Sequence, residues 1–398
     1  MTFDELKEFQ PETVDLLKRA IASNRLSHAL IFASPGDVGE VVLAMRLSQF
    51  LLCESPVSPL EPCGECKSCK LFLQNGHPDF HEVKPKGLLR AIKTSDMLTM
   101  IKSLQNTSHS GLGKIVIIHQ AETLRKESAN RFLKTLEEPT AKTFFILLTS
   151  RVERLLPTIK SRCQIFRMKP FTDEILLKKA EKELKINGDD LKLVCSLSSG
   201  RWRRAVQLSQ NINKYKDLVK QLAGILSDRI SSATSAVKFA QSILKEKKAE
   251  RKKFEEKSKK EISAKKKELS DLDPTVRKEM IAEFEMQLKS EQGAIERDEK
   301  AGIFEAMDAL WRDILTYKAT GDTDLLLHKF LKPAIIKLAE KYSEDEVIRN
   351  LNNINIVRGP TVYLNARLDV ILQGLLVQAT SSSDEFTPLK AAITATGL

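Results

Sequence analysis

Four cysteines with close spacing are the first residues of this chain that could do chemistry. They are Cys53, Cys63, Cys66 and Cys69. Thiolates at such spacing can surround one Zn²⁺ ion, because two-residue gaps let neighbouring sulfurs reach the same metal. The run C-x₂-C-x₂-C also resembles part of an iron–sulfur motif, although no Cys-Pro pair follows it. Four cysteine ligands leave no position for water, so we expect a structural ion rather than a catalytic one.

A second stretch, residues 28–43, has the strand–loop–helix order of a phosphate-binding loop. Against the pattern G-x-x-x-x-G-K-[ST], only the second glycine is present, as Gly39. Ser34, Glu40 and Val41 replace the first glycine, the lysine and the magnesium-binding hydroxyl. A glutamate repels a triphosphate, and a valine cannot bind Mg²⁺. Taken alone, this stretch is explained better by ordinary turn residues.

Two longer strings indicate a family. The segment ANRFLKTLEEP at residues 129–139 resembles the A-N-A-L-L-K-x-L-E-E-P segment of clamp-loader AAA+ subunits. The segment LPTIKSRC at residues 156–163 resembles their L-P-T-I-x-S-R-C motif. Together with SHAL at residues 27–30, the resemblance covers most of residues 1–205. It implies that the cysteines form the zinc module that members of this family carry.

The same resemblance tests whether the chain could hydrolyse ATP. ATPases of this family place an aspartate and a glutamate after a buried strand, where this chain has His119 and Gln120. Neither side chain can supply the carboxylate that binds magnesium or polarises water. We therefore expect no hydrolysis by this chain and no bound nucleotide cofactor. Thr149 and Arg203 match the two sensor positions of the family and are expected to be vestigial or structural.

Arg162, in the S-R-C motif, is the residue to which the resemblance assigns catalysis. In the family this arginine enters the ATP site of a neighbouring subunit, where its guanidinium stabilises charge on the γ-phosphate. The resemblance thus implies a non-hydrolysing stator subunit that supplies an arginine finger in trans. A structural arginine that pairs with a glutamate is the alternative for this residue. A gamma/tau-type ATPase motor and a free-standing nucleic-acid-binding protein are the alternatives for the whole chain.

The partners follow from the same resemblance. It implies a hetero-pentamer with gamma/tau ATPase subunits and a delta subunit, which loads a sliding clamp onto primed DNA during replication. The chain would then be a component of the DNA polymerase III holoenzyme and not an enzyme by itself. Contact with DNA would be non-specific and made through the assembly. No apolar run long enough to span a membrane and no signal-type amino terminus is present, so we expect a cytoplasmic protein.

The elements that must position these residues alternate between strands and helices. Apolar runs predict buried strands at residues 114–119 and 143–148, and apolar periodicity predicts helices at 9–26, 94–105 and 124–137. This alternation is typical of a parallel α/β sheet. We predict an α/β domain of the AAA+ type at residues 1–169, with the zinc module at 53–69. A helical lid at 170–208 and an all-helical domain at 209–398 follow, and the resemblance makes the latter an oligomerisation collar.

Charge is concentrated in one part of the helical region. The chain has a net charge of +11, and residues 245–268 contain twelve Lys and Arg against six Glu. More than half of the net charge therefore lies in one segment of a charged insertion at about residues 244–300. A charged helical hairpin and a partly disordered linker both fit this composition.

Overall fold

A computed structural model describes residues 3–85, 91–139, 142–227, 232–270, 273–363 and 367–380. Within these ranges the chain forms two compact units. The first contains residues up to 187 and residues 194–209, and the second contains residues 188–193 and everything from 210 onward. The described helices include none with the combined length and hydropathy that a bilayer-spanning segment requires.

A five-stranded parallel sheet forms the centre of the first unit. Its strands are β1 (Ala29–Ala33), β2 (Phe80–Val83), β3 (Lys114–Ile118), β4 (Thr143–Thr149) and β5 (Gln164–Arg167). They lie in the order β2-β3-β4-β1-β5, with all neighbouring pairs parallel. Within β1, Leu30 is in register with Ile146 of β4 on one side and Gln164 of β5 on the other. All five residues of β1 and of β3 are buried, as their continuous apolar runs predict.

Helices cover the sheet and connect its strands. They are α1 (Phe3–Phe9), α2 (Pro11–Ala22), α3 (Glu40–Leu51), α4 (Lys67–Leu73), α5 (Thr94–Leu104), α6 (Lys126–Glu137) and α7 (Pro157–Lys160). Met97 on α5 and Phe132 on α6 are fully buried in the core against the sheet, where Phe132 makes an edge contact with Phe145 of β4. A helix lies within the predicted range 9–26, but it is shorter, Pro11–Ala22, and α1 ends just before it. Pro11 begins a separate helix there, because proline favours the first helical position and cannot continue a helix.

Three helices follow the sheet: α8 (Asp173–Glu183), α9 (Gly188–Ser198) and α10 (Trp202–Gln210). Gly200 lies between α9 and α10 with a φ of +75°, and a Cβ atom there would approach the carbonyl oxygen of Phe171 to 2.5 Å. Only glycine fits this position without displacing the backbone. A separate lid at residues 170–208 stays a prediction, since most of these residues fall in the same compact unit as the sheet.

The described part of the second unit is helical. Its helices are α11 (Ile212–Ser227), α12 (Ser232–Glu268), α13 (Pro274–Thr320), α14 (Lys332–Lys341), α15 (Glu344–Tyr363) and α16 (Leu368–Thr380). Lys247 of α12 pairs with Glu299 of α13 at 2.8 Å, and Arg251 approaches Glu296 at 4.0 Å. As the α12 residue number rises the α13 number falls, so the two helices run antiparallel. The charged insertion is thus a helical hairpin in the described residues.

Candidate functional site

The loop between β1 and α3 curls tightly at the carboxyl edge of the sheet. Its backbone is in the left-handed region at Gly36, Asp37 and Gly39, with φ values of 86°, 60° and 100°. The amide of Ser34 donates to the carbonyl of Thr149 at 3.0 Å, which ties the loop to the end of β4. The Ser34 hydroxyl accepts from the amide of Gly36 at 3.1 Å. The loop therefore has the turned backbone from which phosphate-binding nests are built.

The side chain of Glu40 fills this loop. Glu40 is the first residue of α3, and its two carboxylate oxygens accept hydrogen bonds from the amides of Asp37 and Val38, each at 3.1 Å. In a phosphate-binding loop such inward amides hold phosphate oxygens. Here they hold an anion that belongs to the chain itself. Val41, the next residue, is 40% exposed and has no oxygen to offer a metal.

At the end of β3, His119 and Gln120 supply no carboxylate to this edge of the sheet. The Nε2 atom of His119 lies 2.7 Å from Oε1 of Glu82, on the neighbouring strand β2. The hydrogen bond from His119 outweighs burial and, together with Lys84, lowers the pKa of Glu82 to about 2. Gln120 has a left-handed backbone and leads into a short 3₁₀ helix, Ala121–Thr123.

A carboxylate that the sequence reasoning passed over lies two residues farther along. Glu122 accepts hydrogen bonds from the Thr149 hydroxyl at 2.7 Å and from the Ser150 hydroxyl at 2.6 Å. It also accepts from the Ser150 amide at 3.3 Å. Glu122 thus connects the ends of β3 and β4, and Thr149, the predicted sensor, is already hydrogen-bonded within the chain. An acidic residue soon after a buried parallel strand was the signal that could have found it.

Arg162 lies at the amino ends of the strands, opposite the carboxyl ends where the loop between β1 and α3 lies. It lies two residues before the start of β5, whereas the loop follows the carboxyl end of β1, and a five-residue strand is about 16 Å long. Nη1 of Arg162 donates to the Thr158 carbonyl at 3.0 Å and to the Ser161 hydroxyl at 3.3 Å. Nη2 donates to the carboxylate of Glu137, the last residue of α6. The Arg162 side chain is 36% exposed, so it lies at the surface with an ion-pair partner from its own chain.

Trp202, after the left-handed turn at Gly200, joins α10 to the loop. The amide of Trp202 donates to the carbonyl of Asp37 at 3.2 Å. The ammonium of Lys179 on α8 lies 4.6 Å from the centre of the Trp202 ring, within the range of a cation–π contact. Arg203, the predicted second sensor, is exposed. The helices after the sheet are therefore tied to the loop through the main chain.

The four cysteine sulfurs converge as the spacing predicts. They all lie within 4.8 Å of one another, with Cys53 and Cys69 buried and Cys63 and Cys66 half-buried. A tetrahedral zinc with Zn–S bonds of about 2.3 Å needs sulfurs about 3.8 Å apart, so only a small contraction would be required. The amide of Cys63 donates to the sulfur of Cys53 at 3.3 Å, and the amides of Cys66 and Cys69 donate to the sulfurs of Cys63 and Cys66 at 3.4 Å each. This donor set can hold a metal ion.

Amides and burial act on these thiols in opposite directions. Backbone hydrogen bonds from Cys66 and Glu65 lower the pKa of Cys63 to about 6, whereas burial raises that of Cys69 to about 12. A cation bound to the four sulfurs would favour the thiolate form of all of them. The cluster therefore has ligand geometry and N–H···S support of the kind that a zinc–thiolate centre uses.

A chain of hydrogen bonds attaches the cysteine module to the sheet. Ser68 of α4 donates its hydroxyl to the carbonyl of Leu52, and Nε2 of His77 lies 2.7 Å from the same hydroxyl. Nδ1 of His77 accepts from the amide of Asp79 at 3.1 Å, so the proton of the neutral ring is on Nε2. The Asp79 carboxylate is fully buried and accepts from the amides of His109 and Ser110 at 2.9 and 2.8 Å. Residues 77–79 are thus a turn that positions the module.

Comparison with known proteins relates the first unit to a family. Residues 9–172 match the family model described as DNA polymerase III, delta subunit. The delta-prime subunit of Bacillus subtilis (strain 168) is 35% identical over 170 residues, which is 43% of this chain and 50% of that protein. The delta-prime subunit of Escherichia coli (strain K12) is 31% identical over 191 residues, which is 48% of this chain and 57% of that protein.

A gamma subunit is also similar. The DNA polymerase III subunit gamma of Buchnera aphidicola subsp. Baizongia pistaciae (strain Bp) is 28% identical over 243 residues, or 55% of this chain and 64% of that protein. The chain thus spans between half and two thirds of the length of these three relatives. Within the clamp-loader family, an altered phosphate loop together with a cysteine module predicts the delta-prime type, and the comparisons confirm this relationship.

Proposed function

We propose that this chain, which is related to the delta-prime subunits of DNA polymerase III, is a clamp-loader subunit of the AAA+ type that does not hydrolyse ATP. It would act as a stator in a hetero-pentamer with gamma/tau and delta subunits, which loads a sliding clamp onto primer–template DNA in the cytoplasm. The observation that carries this proposal is Glu40, whose carboxylate accepts both inward amides of the loop. A triphosphate would have to displace the Glu40 carboxylate from these two amides. Its own negative charge would then lie close to that carboxylate and be repelled by it.

The end of β3 supports the same reading. His119 is hydrogen-bonded to Glu82, Gln120 is an amide, and the nearby carboxylate of Glu122 accepts hydrogen bonds from Thr149 and Ser150. Magnesium would therefore lack both the hydroxyl and the carboxylate that hold it in a P-loop NTPase. The motor alternative, which similarity to a gamma subunit raises, requires those groups. It predicts ATP binding and turnover by the isolated chain, whereas the stator proposal predicts neither.

Arg162 is proposed to act on a neighbour. Because it lies at the amino edge of the sheet, it cannot reach the loop at the carboxyl edge of its own β1. It is exposed enough to exchange Glu137 for a phosphate of an adjacent subunit. A guanidinium forms bidentate hydrogen bonds with carboxylates and phosphates alike, so the pair with Glu137 is compatible with such an exchange.

The experiment is ATP turnover by the reconstituted loader with clamp and primed DNA. Arg162→Ala should lower turnover about 10³-fold or more, as loss of an arginine finger does. Arg131→Ala is the matched control, since Arg131 is an exposed arginine on α6. Gel filtration must show that each variant still assembles. Unchanged turnover in assembled Arg162→Ala loader would make this arginine structural and remove the trans-acting role.

The cysteine cluster is proposed to bind structural Zn²⁺. Cys53, Cys63, Cys66 and Cys69 would be its four ligands, and an ion held by four thiolates polarises no water. Its contribution is to fix α4 and the loop before it, which are otherwise held to the sheet through Ser68 and His77. The second alternative, a free-standing nucleic-acid-binding protein, predicts tight binding of DNA by the isolated chain.

A further inference from the structure

One face of α12 carries eight lysines that form no ion pair within the described residues. These lysines are Lys245, Lys248, Lys252, Lys253, Lys259, Lys260, Lys266 and Lys267, and all are exposed. Four of them recur every seven residues from Lys245 to Lys266, and three recur every seven from Lys253 to Lys267. Seven residues make almost two helical turns, so each row stays on one side of the helix. We call this side the lysine face.

The opposite side of α12 packs inside the hairpin. Its buried and half-buried positions include Ile243, Phe254, Ile262 and Leu269, whose intervals of 11, 8 and 7 residues place them on one side of the helix, which we call the seam. The basic residues that do form ion pairs lie in or beside this seam, as Lys247 does with Glu299 and Lys265 with Glu268. Ion pairs within the chain thus neutralise the basic side chains on the seam side of α12, whereas the lysine face keeps its positive charge.

The charge on this face is almost of one sign. At 100° per residue the face also includes Ala249, Glu256 and Ser263, so a single carboxylate stands among eight ammonium groups. The adjacent half of α13, residues 274–300, contains five basic and seven acidic residues. The positive potential is therefore a property of the outer side of α12 and not of the hairpin as a whole.

The composition of the face selects the kind of partner. It has no aromatic or large apolar side chain, whereas protein interfaces use such anchors and are depleted of lysine. Helices that lie on membranes also need an apolar face beside the basic one. Lysine is a point charge on a flexible stem, which suits phosphate contact without base readout. The lysines extend over about 33 Å, the length of about ten base pairs of duplex.

We propose that the lysine face of α12 binds the phosphate backbone of duplex nucleic acid without sequence preference. The binding is carried by charge alone and is micromolar or weaker at physiological salt, typical of non-specific contacts. It requires neither a nucleotide nor Arg162, so it stands or falls separately from the stator proposal. It also differs from the tight binding by the isolated chain that the free-standing nucleic-acid-binding alternative predicts.

The test is fluorescence anisotropy of a labelled duplex of about 20 base pairs with the full chain, between about 50 and 200 mM salt. The variant carries Lys252→Gln, Lys259→Gln and Lys266→Gln, and circular dichroism verifies that it remains helical. Three lost phosphate contacts should reduce the slope of log K against log salt by about two to three. Affinity at the lowest salt should fall about tenfold or more. Two unrelated duplex sequences should give equal affinities.

The matched control carries Lys178→Gln, Lys182→Gln and Lys185→Gln, which remove the same charge from exposed positions in and just after α8. The proposal is overturned if the wild-type chain does not bind the duplex at about 50 mM salt. It is also overturned if the lysine-face variant keeps the wild-type slope, or if the control loses as much slope. Binding of phosphatidylserine vesicles through these lysines, without binding of duplex, would assign the face to membranes and overturn it as well.

Discussion

The cysteine module and the carboxyl edge of the sheet both bring together residues that could bind a ligand. They differ in whether their polar groups already have partners of complementary kind within the chain. In the module, four sulfurs of one chemical kind converge within 4.8 Å of one another, and the backbone amides of Cys63, Cys66 and Cys69 donate hydrogen bonds to them. At the carboxyl edge of the sheet, donors and acceptors are paired. Glu40 accepts hydrogen bonds from the loop amides, and Glu122 accepts one from the Thr149 hydroxyl. Four like donors whose sulfurs converge can bind a cation. The donors and acceptors at the sheet edge already satisfy one another within the chain.

If the cysteine cluster binds Zn²⁺ as proposed, loss of the ion should have the largest effect, because four thiolates would lie together without a cation. Cys66→Ser should abolish zinc binding and lower the free energy of unfolding by at least about 3 kcal/mol, a fraction of the about 10–16 kcal/mol that zinc supplies to isolated finger peptides. Zinc content and urea unfolding of the full chain measure both effects. Cys163→Ser, which changes a cysteine outside the cluster, should retain the metal. A zinc-free wild-type chain of unchanged stability would contradict the comparison.

The hydrogen-bonded pair Glu82–His119 tests whether paired donors and acceptors stabilise the carboxyl edge of the sheet. The folded pKa of Glu82 is about 2 against an ordinary 4.5, chiefly because His119 hydrogen-bonds to the carboxylate. Since the folded value is lower, the stabilisation is complete above about pH 5 and disappears as the pH falls towards 2. After solvent screening it amounts to about 1–2 kcal/mol.

Urea unfolding of wild type and Glu82→Gln should therefore differ at pH 7, and the difference should vanish as the pH approaches the folded pKa of about 2. Glu174→Gln on α8 is the control, because Glu174 is exposed. It should show no such pH-dependent difference. A gap between wild type and Glu82→Gln that is constant with pH would mean that this pair does not stabilise the edge through its charge.

Glu40→Ala should convert the carboxyl edge of the sheet into a binding site. The amides of Asp37 and Val38 lose their acceptor, which should cost about 1 kcal/mol in phosphate-free buffer. Millimolar inorganic phosphate should restore part of that stability, because the freed amides form an anion-binding nest. Thermal unfolding with and without phosphate measures the gain. Glu174→Ala removes the same charge from the first turn of α8, and an equal phosphate effect in that variant would count against a nest at the loop.

The sequence was sufficient where burial decides the structure. The continuous apolar runs at residues 114–119 and 143–148 became central strands, because strands of a parallel sheet are covered on both faces. β5 was not predicted. It lies at the edge of the sheet, and its apolar run is only two residues long, Ile165 and Phe166, between polar residues. The helix predicted at residues 9–26 was too long at both ends, because apolar spacing alone marks neither its start at Pro11 nor its end at Ala22, and α1 was not predicted.

For the candidate sites, spacing along the chain predicted the cysteine cluster, since Cys63, Cys66 and Cys69 are neighbours in one turn and one helix. It could not predict partners that come from distant strands and helices. Glu122 meets Thr149 across 27 residues, and Glu137 meets Arg162 across 25. Such pairs depend on the order of the strands, which no local pattern encodes. The roles predicted for Arg162 and for the altered loop remain predictions.

The contact of Glu40 with its own loop also has a consequence for how stability depends on metabolism. A protein that binds a nucleotide in its folded state gains RT ln(1 + [L]/Kd), about 2.7 kcal/mol when the ligand is at a hundred times its Kd, and loses that gain when the ligand is scarce. Glu40 is the first residue of α3 and directly follows the loop. The chain itself therefore fixes the local concentration of this carboxylate at the loop amides. The stabilisation it provides is therefore the same in a starved cell and in a growing one.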